Sequence, residues 1–223
     1  LVDEQGLKKD EAIFNVLREY IKETKNILFD GNGYAEDWLS QAKKRGLSHA
    51  SNTPEALREK KSEQTLELYS EMNVMNSVEI QARYEIELAS YVKHIQIEGR
   101  TLGDIAMNHI VPTAIRYQNT LIENVNGLKQ IFGEDFKNLA KDQVNLLKEI
   151  STHIKEISLN VEAMKNARKR ANSLEDLDEK AMAYCHDVRP YFETIRYHCD
   201  KLELMVDDEL WPLTKYRELL FTR

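Results

Sequence analysis

The chain has 223 residues, 42% of them hydrophobic, with only 8 Gly and 4 Pro, so turn chemistry is too sparse for a β-rich fold and an all-α class is expected. A formal net charge of -7 and a pI near 5.5 exclude nucleic acid as a general partner, because an acidic surface repels phosphate. No apolar run approaches the roughly 18 residues of a membrane span, and the first residues lack the basic and then apolar layout of a signal peptide, so a cytoplasmic protein without a membrane partner is expected.

In chain order, the first expected helix runs from about Leu7 to Phe29, with Ile13, Phe14, Leu17, Tyr20, Ile21 and Leu28 forming one apolar stripe. Asp30-Gly31-Asn32-Gly33 ends it as a tight turn; the strand and lysine of a nucleotide loop are absent around these glycines. A short helix from Ala35 is ended by Gly46 as a C-cap, with Lys43, Lys44 and Arg45 reading as a solvated helix end. Thr53-Pro54 then reads as an N-cap followed by proline at the first helical position, opening a helix that ends before Asn76.

From Ser77 to Phe132 the helical pattern is interrupted by only one proline, Pro112. Such a run would span roughly 84 Å at about 1.5 Å per residue, so it must kink, fold back or project. Its seam passes through Leu102, Ile105 and His109 upstream and Ala114, Tyr117, Leu121 and Leu128 downstream, a phase change that predicts a kink at Pro112. After Gly133, Leu147, Ile150, Ile154, Ile157, Val161 and Met164 repeat in steps of three and four, as in a bundle seam. Asn172 and Ser173 mark the next turn, where Ser173 and Asp176 resemble a capping box. Leu177, Ala181, Tyr184, Val188, Tyr191, Ile195, His198, Leu202 and Met205 carry the seam on, with a bend expected at Pro190. Three arms of matched length joined by tight turns predict an elongated antiparallel helical bundle, with smaller N-terminal helices beside it. The expected organisation is residues 1–75 as N-terminal helices packing on the bundle, 76–212 as the long-helix bundle and 213–223 as a C-terminal docking tail, all within one structural domain.

Three segments invite chemistry. Glu98, Arg100, Asp104, Asn108 and His109 form a polar cluster beside an apolar seam, and Arg100, Asp104 and Asn108 follow at helical steps of four. Without a nucleophile or a second carboxylate pair they read as a structural network, with Gly99 and Gly103 admitting another helix closely. Cys185-His186 and His198-Cys199 are good zinc ligands, but 12 to 14 residues along one helix separate them by roughly 20 Å, too far for one ion. The two cysteines read as reduced core residues, and no catalytic, cofactor-binding or metal-binding residue is assigned. Trp211, Tyr216, Leu219, Leu220 and Phe221 crowd the terminus, where residues are normally polar, and must bury against something: the chain's own bundle is the plainer expectation, and a candidate interface with a neighbouring subunit is the alternative.

Taken together, Phe29-Asp-Gly-Asn-Gly-Tyr-Ala-Glu-Asp-Trp38, Ala42-Lys-Lys-Arg-Gly-Leu-Ser48, Thr53-Pro-Glu-Ala-Leu57, Gly103-Asp-Ile-Ala-Met-Asn-His-Ile-Val-Pro-Thr-Ala-Ile115, Tyr117-Gln-Asn-Thr-Leu-Ile-Glu-Asn124 and the terminal Trp211-Pro212 resemble the C-terminal region of type III glutamine synthetases, found notably in Bacteroides. The resemblance covers essentially the whole chain, with Thr214 standing where proline is expected and Gly99 where a small polar residue is more usual. It implies a parent enzyme that ligates ammonia to L-glutamate with ATP and magnesium in a double-ring dodecamer, its catalytic residues lying in an upstream β-rich domain. On that basis the chain is expected to be a fragment, lacking an initiator methionine, that has no catalysis of its own, packs against the catalytic domain and supports assembly. The competing expectation is a free-standing helical adaptor or coiled-coil scaffold.

Overall fold

In the computed structural model, which describes residues 6–221, every regular element is helical and no strand occurs among the described residues. The chain divides into two compact units, the first ending at Ala56 and the second beginning at Leu57.

The first unit contains α1 (Lys9–Glu23), a 3-10 turn (Thr24–Ile27) and α2 (Glu36–Lys44). The α-helix stops at Glu23, short of the expected Phe29, and the Thr24 hydroxyl donates to the Tyr20 carbonyl at 2.7 Å where the tighter turn begins. Gly46 ends α2 as expected: its φ of +74 lets the Leu47 N–H reach back to the Ala42 carbonyl at 2.9 Å. Arg45 is not a freely solvated helix end. Its guanidinium donates to the Leu28 carbonyl at 2.6 Å and to Gln41 Oε1 at 3.0 Å, tying the loop after α1 to the end of α2. Beneath it the Phe29 and Trp38 rings lie 4.4 Å apart. A Cβ at Gly31 would come within 2.5 Å of the Phe29 ring, so any other residue there would push that ring from its place beside Trp38.

α3 (Thr53–Arg58) spans the division. Asn52, one residue earlier than expected, caps it by accepting the Glu55 N–H at 3.0 Å. The expected single helix to Asn76 is broken by a 3-10 turn (Glu59–Lys61), because the Ser62 side chain captures the Thr65 N–H and starts α4 (Glu63–Glu71) afresh.

The rest of the second unit is the bundle. The first arm is α5 (Ser77–Asp104), a π-helical turn (Ile105–Ile110) and α6 (Val111–Phe132). Asn76 and Glu79 form a reciprocal capping box at its start, at 2.9 and 2.8 Å. Gly133 (φ +57) ends it, and the short α7 (Phe136–Leu139) leads into the second arm, α8 (Lys141–Asn172). The next cap lies three residues beyond the expected Ser173: Asp176 accepts the Glu179 N–H at 2.8 Å, while the Ser173 hydroxyl turns back to the Arg170 carbonyl. The third arm is α9 (Leu177–Ala183), a second π-helical turn (Tyr184–Val188) and α10 (Pro190–Met205), and α11 (Tyr216–Leu219) follows. Gln96 bonds Asn172 while Gln118 bonds Ser151, so the first two arms run antiparallel.

The main core contains Ile95, Ala106, Ile110, Ile150, Ile157, Val161, Met164, Val188, Ile195 and Leu202. Each large aliphatic side chain removed from water there contributes on the order of 1.5–3 kcal/mol. A second cluster joins Leu57, Tyr84, Leu88 and Ala181, so the start of the first arm packs with α3 and α9.

Pro112 and Pro190 each sit just after a π-helical turn. Proline lacks an N–H and its ring crowds the carbonyl four residues back; the wider turn absorbs this, as in the bond from Arg189 N–H to the Tyr184 carbonyl at 3.0 Å, five residues apart. The extra residue also explains the phase change of the first arm. Ala106 and Ile110 face the core, and His109, expected on the seam, is turned to solvent.

Candidate functional site

The polar midsection of α5 lies over a close helix crossing. Gly99 and Gly103 are buried, and added Cβ atoms would meet the Phe192 ring at 3.2 Å and Met164 Cε at 3.4 Å. That supports the close approach expected of these glycines, which places the outer flank of α5 directly beside α8. There Arg100, Asp104 and Asn108 line a cavity of about 250 Å³ together with Lys165 and Arg168 of α8. Asn108 Nδ2 donates to Asp104 Oδ1. Glu98 lies apart from this group, lining a separate hollow with Arg189, Glu193 and Arg196, and His109 is exposed. The expected five-residue cluster is therefore distributed over more than one surface, while its i, i+4, i+8 flank gains two cations from a helix 60 residues further on.

Between the same two arms Gln96 Nε2 donates to Asn172 Oδ1 at 3.2 Å, and the Tyr184 hydroxyl donates to the same oxygen at 2.7 Å. Burial raises the pKa of Tyr184, against the positive fields of Arg168 and Arg100.

Two further clusters join the arms. His153 of α8 and His198 of α10 place their Nδ1 atoms 2.8 Å apart. Burial holds the His153 pKa down, the His198 charge adds to this, Glu149 opposes it and Lys201 reinforces it. Asp178, at the start of α9, accepts from the Tyr84 hydroxyl and from Arg58 Nε at 3.2 Å, with Lys61 Nζ at 3.5 Å. Burial alone would raise the Asp178 pKa, but the Tyr84 and Arg58 hydrogen bonds and the Lys61 charge outweigh it and hold the carboxyl below its usual range. Sequence reasoning missed both clusters, since neither 45 nor 94 residues of separation leaves a local signal.

Cys185 and Cys199 are free and buried, and burial pushes the Cys199 thiol up to about 12, where it is unreactive. Among the described residues no three His, Cys, Asp or Glu side chains come together as a metal site.

Apolar surface is the other notable feature. On α1, Phe14, Leu17, Tyr20 and Ile21 are 53–63% exposed, and among the described residues of the first unit only Ala12, Ala42 and Pro54 are buried. At the other end Trp211 packs on the main core, whereas Leu219, Leu220 and Phe221 are exposed; the Tyr216 side chain lies outside the described residues. Lys215 Nζ donates to the Glu203 carbonyl at 3.2 Å and lies 6.0 Å from the Trp211 ring centre, anchoring the segment where α10 ends.

Residues 12–129, more than half of the chain, match the family model of the glutamine synthetase C-terminal domain. The chain is also similar to a glutamine synthetase of Bacteroides fragilis, 47% identical over 221 residues that make up 99% of this chain and 30% of that protein. A type-3 glutamine synthetase of Dictyostelium discoideum is 29% identical over 227 residues, covering 100% of this chain and 31% of that protein, and a glutamine synthetase of Butyrivibrio fibrisolvens is 26% identical over 217 residues, covering 97% and 31%. The chain thus spans about 30% of the length of the curated relatives it matches. The matched region includes the Phe29–Trp38 turn, built on a ring pair over Gly31, and the Gly103–Ile115 segment, built on a helix crossing and a π-helical turn. This chain belongs to the glutamine synthetase C-terminal domain family.

Proposed function

We propose that the chain is the helical structural and assembly module of a type III glutamine synthetase whose parent reaction ligates ammonia to L-glutamate, with ATP and magnesium, to give L-glutamine. In this reading the chemistry belongs to the remaining part of the longer polypeptide, a cytoplasmic enzyme. The module packs against that part and supports its double-ring dodecamer.

The observation that carries the proposal is the α1 surface. A helix showing Phe14, Leu17, Tyr20 and Ile21 to solvent, in a unit with three small buried side chains, leaves its apolar stripe without a core. Contiguous apolar surface of this kind marks an interface, and the length of the relatives supplies a covering partner in the same polypeptide. Leu219, Leu220 and Phe221 offer a second apolar contact suited to a neighbouring subunit.

The test uses the full-length polypeptide carrying Phe14→Ser and Ile21→Ser together, with assembly followed by light scattering and glutamine formation assayed in parallel. Loss of the large assembly, with the helical content of this module retained, is the expected result. Unchanged assembly, or glutamine formed by the 223-residue chain alone, would sink the reading.

A further inference from the structure

The cavity between α5 and α8 has a charge arrangement that packing does not account for. Arg100 and Arg168, from facing helices, line the same small hollow, and neither forms an ion pair among the described residues. Both lie close enough to act electrostatically on the same Tyr184 hydroxyl. Lys165, the third cation, makes a loose contact at 3.9 Å with Glu162 on its own helix. In a chain of net charge -7, three cations meeting with one carboxylate is a local reversal of sign. Like charges brought together across a tight crossing repel one another, and an anion seated between them would relieve that repulsion.

We propose that this cavity binds inorganic hydrogen phosphate. Its volume of about 250 Å³ is below the roughly 300 Å³ at which pockets for larger organic ligands begin, which suits a small ion. Arg100 and Arg168 offer planar donor forks from opposite walls, the geometry that suits oxyanions, and Lys165 supplies a mobile point charge. Gly99 and Gly103 line the cavity and let the helices approach closely, since side chains there would press on Phe192 and Met164. Asp104 supplies selectivity. A carboxylate only accepts hydrogen bonds, so it receives the P–OH of hydrogen phosphate but repels sulfate, which carries no such proton at neutral pH, and phosphate monoesters, whose second pKa of about 6 leaves them mostly deprotonated there. Its tie to Asn108 holds it at the rim in that role.

The experiment titrates the 223-residue chain with sodium phosphate at pH 7.5 and constant ionic strength, following backbone amide NMR shifts. Saturable shifts confined to the 96–108 and 161–172 segments are expected. Arg100→Gln and Arg168→Gln should each weaken binding by about tenfold, the loss of one charge-assisted contact, while Arg18→Gln on α1 leaves it unchanged. Sulfate should bind about tenfold more weakly than phosphate, and Asp104→Asn should erase that preference. Because neither arginine has an ion-pair partner among the described residues, their variants should melt no lower than the parent without phosphate and lose the stabilisation that phosphate confers. The proposal is overturned if shifts fail to saturate by ~10 mM, beyond the millimolar range of a weak specific site. It is equally overturned if sulfate matches phosphate in the unaltered chain, or if both arginine variants bind as the parent does.

Discussion

Asp178 ties three elements of the second unit together, and removing its partners one at a time tests that linkage. Tyr84 is 1% exposed and its hydroxyl donates to a carboxylate that also receives Arg58 and Lys61. A hydrogen bond to a charged acceptor contributes about 1.5–3 kcal/mol. The Asp178 side chain is 28% exposed and keeps two cations when Tyr84 becomes Phe, so the lower end of that range is expected for Tyr84→Phe. Asp178→Asn should cost about 1–2 kcal/mol, because it leaves Arg58 and Lys61 unpaired where water can still reach them. The Asp178 pKa is depressed on folding, so its contribution is present above the ordinary carboxylate pKa and is lost as pH falls through the lower folded value. Tyr84 has the opposite sign: burial and then the Asp178 hydrogen bond push it up to about 12, so its contribution holds below its ordinary pKa and is lost as pH rises through that value. Urea unfolding of parent, single and double variants, read by circular dichroism at pH 7 and pH 3, gives the answer. The coupling should be about 1 kcal/mol at pH 7 and shrink at pH 3. Additivity within ~0.3 kcal/mol at pH 7, or an Asp178→Asn chain with the parent's acid dependence, would refute the linkage.

The His153–His198 contact needs at least one neutral ring, and the depressed His153 pKa means that unfolding takes up a proton as pH falls below its ordinary value. Thermal melts should therefore show stability intact above about pH 6.5 and declining toward pH 5, with a flatter profile for His153→Gln; an identical slope in both chains would assign the decline elsewhere. In the core, Ile157 is 0% exposed, and Ile157→Ala should cost about 2–5 kcal/mol in urea unfolding. Leu17→Ala, at a site 53% exposed, should stay within ~0.5 kcal/mol in the same chain; a large loss there would show that α1 already buries its stripe.

Much of the bundle could be read from local pattern, because a seam returning every three or four residues reports which side of a helix is dry. Ile150, Ile157, Val161 and Met164 on α8, and Ile195 and Leu202 on α10, are buried where their spacing puts them. The same reasoning placed α1 as a helix with one apolar stripe, yet that stripe faces water, since periodicity shows which face is apolar and not what covers it. Caps were harder to place: Asn52 and Asp176 took the roles expected of Thr53 and Ser173, in each case within three residues. The α5 cavity was half legible. Steps of four put Arg100, Asp104 and Asn108 on one flank, but Lys165 and Arg168 join them only through the antiparallel register of α8.

The π-helical turns explain why the first arm carries so much information in so few residues. Its buried positions advance in steps of four from Ile80 through Tyr84 to Leu88, and again from Ile95 through Gly99 to Gly103. Each such step overshoots an α-helical turn by about 40°, so the buried face winds around the helix, from the small cluster with Leu57 and Ala181 toward the main core. Left alone, that drift would carry α6 off the seam of α8, which has no such interruption. The extra residue in the Ile105–Ile110 turn resets the phase, so that Ala106, Ile110 and Ala114 continue the core, while Pro112 occupies a place where its missing N–H leaves no α-helical bond broken. The same device precedes Pro190 in the third arm. The glycines, the π-helical turn and the proline thus solve one geometric problem, and the polar flank of α5 is held against α8 as its consequence.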